Sequence, residues 1–156
     1  MKISALNEGV SLIANIGVIA SIVFLGLEMQ QNTAMMQSQT RNSIVENQLS
    51  FYERAIDNID FARVATEFRA NGDAYAAGTA EDFQYSLFSL SQLRMWENEF
   101  YQYQIGLFDA EEFDARRIAW GRVMSSDINV ERWKVAEETF DPDFRIYLNE
   151  IIDEIS

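Results

Sequence analysis

The chain has no cysteine and no histidine, a single proline, and only two lysines, Lys2 and Lys134. Without thiol or imidazole there can be no disulfide, thiolate nucleophile, Cys/His zinc site, His-ligated haem or catalytic triad built on histidine. A di-iron bundle needing Glu-x-x-His pairs is excluded for the same reason, and Schiff-base chemistry is left without a plausible lysine. No glycine-rich phosphate loop and no Gly-x-Ser-x-Gly elbow occurs. Residues 109–114 lack the central glycine and the Asp spacing of an EF-hand loop. Positive charge is also scarce. Twelve basic residues face 25 acidic ones, for a net charge of −13. A partner held through its phosphates, as nucleic acid is, is therefore not expected.

What is present is enough for a folded protein. In 156 residues, 48% are hydrophobic and 13% aromatic, which excludes intrinsic disorder despite the acidity and allows one domain with its own core. A mean hydropathy of −0.16 conceals one strongly apolar run. Residues 10–27 read VSLIANIGVIASIVFLGL without a charge, bounded by Glu8 and Glu28. A hydrocarbon core about 30 Å thick takes roughly 20 residues at 1.5 Å each, and this run, carried to Met29, reaches that length. A buried core helix of this length would carry a polar face. A cleaved signal peptide would have a shorter apolar stretch and a small-residue cleavage site. The segment is therefore expected to be an uncleaved single-pass anchor over residues 1–29, with membrane lipid as its first partner. Lys2 before the span and Arg41 as the first basic residue after it point to a cytoplasmic N-terminus and an external C-terminal domain.

Within the span, Ser11, Asn15, Gly17 and Ser21 are polar or small. Such residues let membrane helices approach closely and hydrogen-bond across their interface, so these four are candidates for helix association. The plainer alternative is that the hydroxyls bond to the preceding turn. Between Gly26 and Gly72 there is neither glycine nor proline, so the helix is expected to continue as a stalk over residues 30–57. Residues 30–43, polar but carrying only Arg41, are either solvated or bonded between neighbouring copies.

An apolar stripe follows at Val45, Leu49, Tyr52, Ile56 and Ile59, whose spacings of four and three define one helical face. A break is expected at residues 57–60 with Asn58 as cap, then a short helix with Phe61, Val64, Ala65 and Phe68, closed by Asn71, Gly72 and Asp73. Thr79 before Glu81 and Asp82 opens a helix ending at Gly106, with Phe83, Leu87, Leu90, Leu93, Glu97, Phe100 and Gln104 on one face. Asp109 caps the next, which carries Phe113, Arg117, Trp120 and Met124. Asp127 or Asn129 caps a short helix with Val130, Trp133, Val135 and Ala136. Asp141 followed by Pro142 starts the last, with Phe144, Tyr147, Leu148, Ile151, Ile152 and Ile155. The expected fold is all-α: an N-terminal transmembrane helix, a helical stalk, and a compact acidic domain of four to five helices over residues 58–156.

Three stretches, LGLEMQQNTAMMQ, WENEFYQYQIGLFDAEEF and FDPDFRIYL, together resemble an uncharacterised family of small bacterial membrane proteins. Its members share an N-terminal hydrophobic helix running into a Gln/Asn-Thr segment and a helical C-terminal domain. The resemblance spans nearly the whole chain and implies that architecture and a bacterial inner-membrane location. It implies no activity. Members often carry a basic residue directly after the span, where Glu28 stands here, so the resemblance does not fix orientation.

The richest stretch for chemistry is residues 96–113. Trp96, Glu97, Phe100, Tyr101 and Tyr103 form a possible ligand or interface region, and Glu97, Glu99, Glu111, Glu112 and Asp114 could in principle serve acid-base work or hold a hard cation. The competing reading is structural. Glu111 and Glu112 suit a first helical turn, Glu97 suits a pair with Arg94, Arg116 or a Tyr hydroxyl, and aromatics at helical spacing usually form a core. Arginine outnumbers lysine ten to two, which suits buried or interfacial ion pairs. No catalytic residue, metal ligand or cofactor is assigned. The expectation is a non-enzymatic structural or interaction protein, self-associating or a small subunit of a membrane complex. The alternative is a membrane-tethered module that binds a small ligand or cation.

Overall fold

The structure, a computed structural model, describes residues 2–72 and 74–155, the side chains of residues 2–6 and Ala55 excepted. It contains six α-helices: α1 (Lys2–Ile56), α2 (Ile59–Ala70), α3 (Ala80–Gln104), α4 (Ala110–Met124), α5 (Asp127–Ala136) and α6 (Pro142–Ile155), with one 3-10 turn, Glu137–Thr139, between the last two. No strand occurs among the described residues, so the chain is all-α, with five helices after the long first one. The chain divides into two units, Met1–Gln39 and Thr40–Ser156.

In the first unit, α1 is a single uninterrupted helix, as a run free of proline allows. Its apolar side chains are open on every side, from Ile13 at 72% exposure to Leu27 at 54%. The Ser21 hydroxyl donates to the Gly17 carbonyl at 2.8 Å and the Thr33 hydroxyl to the Met29 carbonyl at 3.0 Å. Both are satisfied within the preceding turn. The helix is long and apolar enough to cross a membrane.

The second unit is built by caps at its corners and aromatics at its centre. The Asn58 side chain accepts from the Phe61 N–H at 3.0 Å and starts α2. Thr79 accepts from the Asp82 N–H, and Asp109 from the Glu111 and Glu112 N–H groups, at the starts of α3 and α4. Asp141 Oδ1 accepts from the Asp143 and Phe144 N–H groups at 2.9 and 3.3 Å, and Pro142 fills the first position of α6. Gly106, with φ +75°, takes the left-handed conformation that ends α3. Helix α2 closes where expected, at extended Asn71, whose N–H bonds the Glu67 carbonyl, although Gly72 behind it is not left-handed; Asp73 lies outside the described residues. One expectation is corrected here. Helix α5 is capped by neither Asp127 nor Asn129: it begins at Asp127 after Ser126, one residue earlier than a cap at Asp127 and three earlier than a cap at Asn129 would put it. Asn129 lies within the helix, where its amide donates to the Val123 carbonyl at 2.8 Å and holds the α4–α5 turn.

Trp120, Trp133, Phe144 and Leu148, from α4, α5 and α6, are all fully buried. Trp96 of α3 stacks on Trp120 with centroids 5.2 Å apart, and Phe144 meets both Trp120 and Trp133 edge-on, the offset and perpendicular arrangements that ring quadrupoles favour. A smaller cluster holds α2 to α3 through Val64, Phe68 and Tyr85, with Phe68 and Tyr85 stacked at 4.4 Å.

Residues 40–56, expected as stalk, belong to this unit, and the face they bury is not the periodic stripe. Ile44 and Phe51 are buried at 4% and 6%, and Phe51 stacks on Phe88 of α3 at 4.3 Å. Val45, Leu49, Tyr52 and Ile56 stay 46–76% exposed, and Ile59 falls beyond the break, on α2. Two well-placed residues on one face outweigh a longer stripe on the other because burial depends on what faces them. On α3, likewise, Tyr85 and Ser89 are buried while Phe83 and Leu87, on the expected face, are exposed.

The two fully buried tryptophans differ in one atom's fate. Trp133 Nε1 donates to Asn149 Oδ1 at 2.7 Å, whereas Trp120 Nε1 has no partner. Replacing each by Phe removes similar volume but only one hydrogen bond. Trp133→Phe should therefore cost about 1–2 kcal/mol more than Trp120→Phe in denaturant unfolding of the intact chain in detergent. Equal losses would show that the Asn149 contact is not formed in solution.

Candidate functional site

The four span residues proposed for helix association do not share one stripe. At 3.6 residues per turn, the Ser11 and Asn15 pair and the Gly17 and Ser21 pair lie about a third of the circumference apart. All four are exposed, and nothing stands within 4 Å of a Cβ built on Gly17. A second helix could use one pair or the other in a single straight contact.

The five residues of the aromatic and acidic stretch are likewise dispersed. Trp96 and Phe100 are core, Phe100 packing against Phe113, Phe144 and Tyr147. Tyr103 lies flat against Phe113 at 4.1 Å, and Tyr101 is 55% exposed. Glu97 accepts from Arg94 Nη1 at 2.8 Å and from the Asp141 N–H at 2.7 Å, tying α3 to the start of α6. Arg94 also donates to Thr139 and lies over the Phe140 ring at 3.9 Å. Glu97 is therefore a structural tie, as its pairing with Arg94 anticipated.

The buried acid is its neighbour Glu99, at 1% exposure. Its carboxylate accepts from Arg116 Nε at 2.9 Å and Nη2 at 3.1 Å, a two-pronged contact, and from Gln48 Nε2 at 2.9 Å. One carboxylate thereby joins α1, α3 and α4. The clue to it was spacing: Glu99 stands three residues after Trp96 and four before Tyr103, between two residues that pack inward. Glu112, in the first turn of α4, is held by Arg41 at 2.8 Å, a second link to α1. Among the described residues no three acidic side chains gather as a cation site.

A second polar centre lies between α3 and α5. Arg132 donates to Asp82 Oδ1 at 2.8 Å and to Ser86 Oγ, with its guanidinium 5.1 and 5.0 Å from the Phe68 and Tyr85 ring centroids. The hydrogen bond from Arg132 and a second from the Gly78 N–H hold the Asp82 carboxyl below its ordinary pKa. Burial pushes the Tyr85 hydroxyl up, against the opposing pull of Arg132 and Arg69. Beside this centre runs a groove of about 490 Å³ lined by Leu90, Leu93, Ile128 and Val135, with Asp82 and Arg132 among its walls. Chemically the groove offers apolar walls and one neutralised ion pair. Of the two serines in its wall, Ser86 Oγ accepts from Arg132 and Ser89 Oγ donates to the Tyr85 carbonyl at 3.0 Å.

No protein-family model, curated protein or solved structure matches the chain.

Two predictions follow from these ties. Glu99→Gln leaves Arg116 facing a neutral amide in a closed site and should cost about 3 kcal/mol. Glu97→Gln, at a more open pair whose amide oxygen can still accept the Asp141 N–H, should cost about 1 kcal/mol or less. Thermal unfolding of both variants in the same detergent checks the order, and equal melting temperatures would contradict the assignment of the buried role to Glu99. For Asp82, the folded pKa lies below the unfolded one. Its contribution is complete above the ordinary carboxyl range near pH 4 and is lost as pH falls through the folded value. Asp82→Asn should lower stability at neutral pH and flatten that part of the acid-unfolding profile; an unchanged profile would contradict the pairing with Arg132.

Proposed function

We propose that this chain is a non-enzymatic, single-pass membrane protein of the bacterial inner membrane that self-associates or serves as a small subunit of a membrane complex. The observation that carries this reading is the open apolar surface of residues 10–27 on an unbroken helix, which is costly in water at about 25 cal/mol per Å² and favourable in lipid. The resemblance to small bacterial membrane proteins is part of the same proposal. Lys2 ahead of the span supports a cytoplasmic N-terminus and a periplasmic domain. The polar residues of the helical domain support an interaction role, because Glu97 ties α3 to the cap of α6 and Glu99, Asp82 and Arg132 are engaged in ties between helices. Glu112 is engaged likewise, with Arg41.

A second reading, a membrane-tethered module for a small apolar ligand, is favoured by the groove beside Arg132. Native mass spectrometry of the chain, extracted gently from its own membrane, separates the two. A multiple of 18.0 kDa, or a complex with other chains, supports the interaction reading. A monomer with a small adduct supports the second. A chain recovered in the soluble fraction without detergent would overturn both.

A further inference from the structure

Among the described residues of the second unit, the α1 segment leaves Val45, Leu49, Tyr52 and Ile56 half to three-quarters exposed. Their spacings of four, three and four are those of a coiled-coil seam. The bundle is served by the neighbouring face, through Ile44, Phe51 and Gln48, so this second face is unused within one chain. Resting on the self-associating reading above, we propose that this stripe is a parallel, in-register dimer seam whose partner is a second copy of the same chain.

Three observations select that occupant. First, the seven-residue count puts Leu49 and Ile56 at one core position and Val45 and Tyr52 at the other. A single apolar helix face with this alternation is complementary to itself. Second, the flanking charges match only in one direction. Arg41 falls just before a core position and Glu46 just after the next one, five residues on, which are the positions that meet across a parallel seam. Arg41 is 67% exposed while it holds Glu112, and its guanidinium has donors left for a second carboxylate. In an antiparallel pair Glu46 and Glu53 would instead face acidic residues of the other copy. Third, Asn42, one heptad before Leu49, is exposed and lies at a core position, where a lone Asn selects the in-register pairing at some cost in stability.

The absence of cysteine in the chain makes the test clean. Single substitutions Asn42→Cys, Leu49→Cys and Ile56→Cys would be oxidised in the intact, detergent-extracted protein, with Asn47→Cys, exposed on the opposite side of the helix, as control. All three seam variants should cross-link to a dimer and Asn47→Cys should not, since only a parallel in-register pair brings each residue against its own copy. In a separate arm, Leu49→Glu should weaken dimerisation at least tenfold while the melting temperature of the monomer is unchanged. A multiple of the chain mass without seam cross-links overturns the seam and leaves self-association standing. Cross-linking at Ile56 but not at Asn42 overturns the in-register arrangement. A single-chain mass overturns both the seam and self-association.

Discussion

One buried carboxylate governs how this chain is put together. Glu99 lies where α1, α3 and α4 meet, and it can be closed off from water only if Arg116 and Gln48 both arrive with their donors aligned. A charge out of water without partners is so costly that alternative packings of these helices are disfavoured more strongly than any single apolar contact could disfavour them. The aromatic centre supplies the bulk of the cohesion, since rings on α3 to α6 exclude water over a wide area. Cohesion of that kind is tolerant of small shifts and rotations. The contacts of Glu99 are not: the two-pronged Arg116 contact orients α4, and the Gln48 amide orients α1.

That choice of face has a functional consequence. Once Gln48 points at Glu99, Ile44 and Phe51 are carried into the core with it. The apolar stripe at Val45, Leu49, Tyr52 and Ile56 must then stay outside. The same helix therefore presents one face to its own bundle and keeps another available. Arg132 plays a comparable part farther along, engaging Asp82 and Ser86 while covering Phe68 and Tyr85, so α2, α3 and α5 share a single cation.

How much of this could be read from the residues depends on the range of the forces involved. Helix starts at Asn58, Thr79, Asp109 and Asp141 were legible because a cap is a bond across two or three residues. The start of α5 was legible only to within a residue, through Asp127, because Ser126 makes no side-chain cap and the conspicuous Asn129 serves the α4–α5 turn instead. The apolar run of residues 10–27 was legible from length alone. The inward faces of α1 and α3 were only partly legible. Periodicity identifies a face but not what will oppose it, and on α1 the longer stripe lost to two residues that meet Phe88 and the Trp96 cluster. Among the acids, Glu97 attracted attention because it follows Leu93 by four. Glu99 follows Trp96 by three, an equally good helical neighbour, and only the position of Arg116 decides between them.

The placement of Phe144 and Leu148 bears on how the protein comes into being. Both lie at the centre of the aromatic cluster, yet both belong to α6, which follows α3, α4 and α5 in the chain and so leaves the ribosome after them. Chains emerge at about 5–20 residues per second, so for an interval of seconds the rings of α3, α4 and α5 exist without the wedge that closes them. During that interval the exposed rings make the nascent chain the kind of partly folded species that aggregates or is captured by chaperones, and a chain truncated before Pro142 would lack the wedge for good.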